Sequence, residues 1–111
     1  MVTPVSLMRA QASLLGEKTN QQVIADVKNL SGNSEQFAWS FQLVSPALGN
    51  YRYELFRAYH SITLYPVTVS AEGKLSTTAP SEEAFKGVLR NILSSDETRR
   101  IVHSLLAQAA S

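Results

Sequence analysis

The stretch Gln36–Val44 (Gln-Phe-Ala-Trp-Ser-Phe-Gln-Leu-Val) alternates apolar with small or polar residues almost without a break. Phe37, Trp39, Phe41 and Leu43 fall on one side of an extended chain, and Ala38, Ser40 and Gln42 on the other. Successive strand side chains point to opposite faces, so this segment calls for one dry face and one wetter face. A lone strand or hairpin of this kind is not stable in water. The pattern therefore demands neighbouring strands beside it and a cover over its aromatic row.

The flanking sequence supplies the strands. A first strand is expected over 20–30, where Val23, Ala25 and Val27 alternate with Ile24, Asp26 and Lys28. Its β-branched content and the turn cluster Ser31-Gly32-Asn33-Ser34 favour strand over helix, and the cluster predicts a hairpin with the aromatic strand. Pro46 ends that strand, because proline cannot donate to a ladder. Gly49-Asn50 is a turn signal, and Tyr51–His60 reads as the third strand. Tyr51, Tyr53 and Leu55 share one face while Phe56 and Ala58 take the other. Either both faces are apolar, or a bulge between Leu55 and Phe56 shifts the register. A fourth strand is expected over 62–70, broken by Pro66, which marks an edge or a bulge. Glu72-Gly73 signals another turn, and Lys74–Thr78 a short fifth strand.

Helices bracket these strands. Thr3 as cap and Pro4 at the first helical position predict a helix over 4–15, carried by Leu7, Ala10, Leu14 and Leu15, with Gly16 as its stop. Near the other end, Ser81 is a cap, and Glu82 and Glu83 suit the positive end of the dipole. Phe85, Val88, Leu89, Ile92 and Leu93 form one helical stripe, and Ile101, Val102, Leu105, Leu106 and Ala109 a second. Ser94-Ser-Asp-Glu97 matches a capping box between the two. The expected fold is α+β: an antiparallel meander of four to five strands, preceded by one helix and followed by two helices packed on one sheet face. The aromatic row of Phe37, Trp39, Phe41 and Leu43 is the expected floor, with Phe85, Leu89, Ile92, Ile101, Val102 and Leu105 above it. All of it fits one domain, since 111 residues bury roughly 65% of the unfolded surface.

Composition excludes more than it assigns. Ten Lys and Arg against nine Asp and Glu give a net charge of +1, which is no footprint for duplex nucleic acid or an anionic membrane. The chain has no cysteine, so disulfides, thiolate metal sites and cysteine nucleophiles are out. That absence and the lack of a basic start followed by a long apolar run predict a cytoplasmic protein without a secretory signal. No run reaches the length of a membrane span. Asn29-Leu30-Ser31 matches a glycosylation acceptor, which means nothing without a secretory route.

Catalytic spacings are missing. There is no phosphate-cradling glycine loop, no His-Glu-x-x-His pair and no Gly-x-Ser-x-Gly elbow. Two histidines, His60 and His103, would need distant carboxylates to hold a metal. The sequence therefore implies no catalytic residue, no metal and no cofactor. Glu82, Glu83, Asp96 and Glu97 are explained as helix-start residues. His60 is a strand-end histidine whose catalytic reading would need Glu54 or Tyr65 beside it.

One segment does point outward. Tyr51, Arg52, Tyr53, Arg57 and Tyr59 interleave rings and cations on one strand, with His60 at its end and Tyr65 beyond. These are the residue types enriched at protein interfaces. The leading expectation is a non-catalytic protein-interaction module (an adaptor, an inhibitor or antitoxin-like protein, or a subunit) that binds a protein partner or itself through these seven residues. The alternative is a single-stranded nucleic-acid binder that stacks bases on the Tyr51–Tyr59 strand, which the net charge disfavours. A third is a small-molecule domain with a cavity between sheet and helices.

Overall fold

The computed structural model describes residues 2–31, 35–71 and 74–111. Helix α1 (Pro4–Lys18) leads into β1 (Ile24–Asn29), β2 (Phe37–Ser45), a 3-10 turn (Pro46–Leu48) and β3 (Tyr51–His60). Then come β4 (Val67–Ser70), β5 (Thr77–Ala79), α2 (Glu82–Leu93) and α3 (Asp96–Ala109). The strands lie side by side in chain order, and every pairing is antiparallel. This is the α+β meander that the alternation demanded.

The aromatic row of β2 is the sheet's inner face. Phe41 and Leu43 are free of solvent, and Phe41 stacks on Phe56 of β3 with ring centroids 5.0 Å apart. Ala58, Val67, Val69 and Ala79 continue the face across β3, β4 and β5. Met8 of α1, Phe85 and Leu89 of α2 and Leu105 of α3 close the core from above. Each large side chain buried here contributes roughly 1.5–3 kcal/mol by leaving water. Trp39 and Phe37, nearer the strand's start, are only half-buried. Ile92, Ile101 and Val102 sit at the core's margin and not at its centre.

The bulge is real and decides what β3 presents. Phe41 opposes Phe56, whereas Gln42 opposes Glu54, so Leu55 is the extra residue. The slip puts Tyr51 and Tyr53 on the same face as Phe56 and Ala58. Only one face of the strand is therefore apolar.

Several boundaries differ from the sequence expectation. Helix α1 runs through Gly16 to Lys18. Its stop is a Schellman motif: Gln21 N–H donates to Gly16 O at 2.8 Å and Asn20 N–H to Glu17 O at 3.3 Å. Asn20 takes the left-handed conformation at φ 53°. Gly16 lies inside the helix, where a Cβ would meet only the amide end of the Gln21 side chain, at 3.0 Å. The cap uses up residues 19–23, so β1 starts at Ile24 and not at 20. The fourth strand is shorter than 62–70. Residues 61–64 form a turn closed by Leu64 N–H to Ser61 O at 3.0 Å, with Leu64 at φ 76°, and Tyr65-Pro66 is cis. The fifth strand is Thr77–Ala79, shifted from Lys74–Thr78. The turn residues Gly32, Asn33, Ser34, Glu72 and Gly73 lie outside the described residues. Ser95, and not Ser94, caps α3: its hydroxyl accepts from Thr98 N–H at 3.3 Å.

Candidate functional site

A groove opens where β3 outruns its neighbour. Among the described residues, β4 pairs with β3 only through Arg57, Ala58 and Tyr59. The first half of β3, from Tyr51 to Tyr53, has no strand on that side. Next to this open half lies a groove of about 500 Å³ between sheet and α3. Leu48, Tyr53, Ile101 and Leu105 give it apolar walls, Tyr51 is 51% exposed at the mouth, and Arg100 stands on the rim. Arg100 makes no ion pair with a described residue.

None of the described helices covers the opposite face of the sheet, and a chain of polar contacts ties its strands together. Arg52 of β3 donates to Asp26 Oδ2 of β1 and to Gln42 Oε1 of β2, each at 3.0 Å. Gln42 Nε2 donates to Ser40 Oγ at 3.1 Å, and Ser40 Oγ donates to Glu54 Oε2 at 2.6 Å. Arg57 Nε completes the chain on Glu54 Oε1 at 2.8 Å. Ser40 is buried beneath this lattice. Burial pushes the Glu54 carboxyl up, but the bonds from Ser40 and Arg57 outweigh it and hold the group below its ordinary value. Both arginines thus direct their guanidinium groups at carboxylates of this same face.

At the far end of β3 the His60 ring is buried and fully engaged. Trp39 Nε1–H donates to His60 Nε2 at 3.0 Å. His60 Nδ1 lies 2.8 Å from Ser61 O, an acceptor, so it carries the proton. Phe37 stacks on the imidazole at 5.3 Å between centroids. The Arg9 guanidinium of α1 sits 5.9 Å from the Trp39 ring centroid, within cation–π range. Glu54 is on the other sheet face, and the Tyr65 hydroxyl donates to Val2 O at 3.3 Å. Neither accompanies His60.

The seven residues singled out from sequence therefore separate into three places. Tyr51 and Tyr53 share the groove. Arg52, Arg57 and Tyr59 share the open face, by strand parity and register. His60 and Tyr65 belong to the interior and the β3–β4 connection. Alternation along β3 is what divides the tyrosines from the arginines. The α3 half of the groove, Arg100, Ile101, Ser104 and Gln108, has no local signal of its own. Only the helix's return over the start of β3 brings it there.

Among the described residues no group of three or more His, Asp or Glu is placed to hold a metal ion. No described helix is long and apolar enough to cross a membrane. No protein-family model, curated protein or solved structure matches the chain.

Proposed function

We propose that the protein is a non-catalytic interaction module that takes an extended segment of a partner protein at the open half of β3. The reading rests on one juxtaposition: an unpaired stretch of strand beside a groove walled by Leu48, Tyr53 and Ile101. An extended peptide added to a free sheet edge gains main-chain hydrogen bonds, and a neighbouring pocket selects its side chains. Tyr51 would close over an apolar side chain of that peptide, and Arg100 would meet a carboxylate at the rim. The arginines of the open face already meet Asp26 and Glu54, which leaves the same strand poorly furnished for phosphates. The groove's volume also lies in the small-molecule range of about 300–1,000 Å³, so the test carries both probe types.

A displayed peptide library panned on the intact protein should enrich apolar, extended sequences with an acidic residue. Their affinity should fall at least tenfold for Tyr51→Ala and Arg100→Ala together. Absence of enrichment, or binders indifferent to both changes, overturns the reading. A small-molecule screen by thermal shift that yields Tyr51-dependent ligands while peptides yield none moves the groove to the third function.

A further inference from the structure

One outer edge of the sheet is β1, at the opposite side from β5. Leu30 N–H donates to Ala38 O at 2.8 Å. In an antiparallel ladder the residues that bond across alternate with residues whose N–H and C=O face away. Continuing Leu30's parity in the β1–β2 register, Ile24, Asp26 and Lys28 bond toward β2. Ala25, Val27 and Asn29 therefore turn their backbone groups outward, and no described residue takes them. Helix α1 packs along this strand, and a groove of about 540 Å³ runs between the two. On the helix side the small residues Ala12, Ser13 and Gly16 line it together with the longer Arg9, Glu17 and Gln21.

A second copy meets this edge with its own outward-facing residues. A two-fold axis then admits few registers that keep most of β1 paired. An axis through Asp26 opposes two carboxylates. An axis through Lys28 opposes two ammonium groups. An axis through Val27 sets each Asp26 against Lys28 of the second copy, in the closer, non-hydrogen-bonded kind of pair. The same register pairs Ala25 with Asn29 and brings Ile24 opposite Leu30, whose side chain is 36% exposed. Within its own chain Lys28 makes no ion pair with a described residue. Asp26 is half-exposed and already held by Arg52 on that face, so it is fixed where a second cation can reach it.

We propose that β1 is a self-association edge: two copies join strand to strand, centred on Val27, and their sheets become one. The edge is separate from the groove at β3, and neither reading depends on the other. Charges on an edge strand ordinarily deter pairing; here the order Asp26-Val27-Lys28 makes them complementary to themselves.

The test is sedimentation equilibrium of the full chain over a wide concentration range at low and high salt. The wild type should show a monomer–dimer equilibrium that weakens with salt. Asp26→Lys and Lys28→Asp, which oppose like charges, should each raise the dissociation constant at least tenfold. The double variant Asp26→Lys/Lys28→Asp restores opposite charges and should recover the dimer, which also shows that the single variants failed at the interface and not in folding. Tyr51→Ala should leave the equilibrium unchanged. A monomer at every concentration, a dimer indifferent to both single changes, or a double variant no better than the singles overturns the proposal.

Discussion

Ser40 and Ser45 lie on the same strand, both shielded from solvent, and their hydroxyls meet opposite surroundings. Ser40 accepts from Gln42 and donates to Glu54. The Ser45 hydroxyl has no hydrogen-bond partner among the described residues. A satisfied buried hydroxyl supports its neighbours, whereas an unsatisfied one bears a desolvation cost of about 1–3 kcal/mol. Ser40→Ala should therefore lower stability by about 1–2 kcal/mol, and Ser45→Ala should raise it by about 1 kcal/mol. Urea unfolding of the two variants checks this, and midpoints that move the same way contradict it. Alternation puts the two serines on opposite faces, but it could not show that Glu54, diagonal to Ser40 across the bulge, comes within reach of its hydroxyl. His60 teaches the same lesson. From its position alone it is a free titratable group at a strand end. Register brings Trp39 to one ring nitrogen and Phe37 to the ring face, while the neighbouring Ser61 O takes the other nitrogen.

At the scale of elements, what was legible followed local periodicity. The alternation of β2, the extent of β3 and the caps Thr3 and Ser81 are all written in nearest-neighbour residues, while the bulge at Leu55 was one of two readings that the pairing with β2 decides. What was not legible needed tertiary competition. Two adjacent serines precede α3, and the box Ser94-x-x-Glu97 is the stronger local pattern. In the fold Ser94 is instead the last word of α2, its hydroxyl donating to Arg90 O at 2.7 Å. Glu97 is drawn away to Lys74, across from α3. The cap falls to Ser95, whose hydroxyl also reaches Ile92 O and Thr98 Oγ1. Ser95→Ala should thus cost about 1 kcal/mol, and Ser94→Ala only a few tenths, roughly the worth of an exposed bond. Thermal unfolding of the pair measures the difference, and the reverse order would restore the Ser94–Glu97 box. Helix α1 likewise runs past Gly16 to Lys18, because the left-handed residue that closes it is Asn20.

Across the whole molecule, the three helices lie on one face of the sheet and the polar chain from Asp26 to Arg57 holds the other. The two surfaces offered for binding, the β1 edge and the open half of β3, are places where a helix flanks a strand that has no neighbouring strand on that side among the described residues. Two carboxyls, one on the open face and one on α3, make the fold sensitive to acid. Glu54 is held below its ordinary value by Ser40 and Arg57 against the opposing pull of burial. Glu97 is held down by its bond to Lys74. A carboxyl depressed in the folded state binds its proton more readily when unfolded, so it stabilises the fold above the unfolded value, about 4.3 for Glu. That contribution is lost as pH falls through the folded value. Since Glu54 is about a third exposed, its share is small, on the order of 1 kcal/mol or less. Replacing Glu54 with Gln keeps the shape and removes the charge. The stability gap between wild type and Glu54→Gln should stay level near neutral pH and close as the solution is acidified below about 4.3. Added salt should narrow it at neutral pH through the exposed Arg57 pair. Urea midpoints of both proteins across that pH range decide it. A gap that widens in acid would mean the carboxylate strains the lattice of Ser40, Gln42 and the two arginines instead of tying it together.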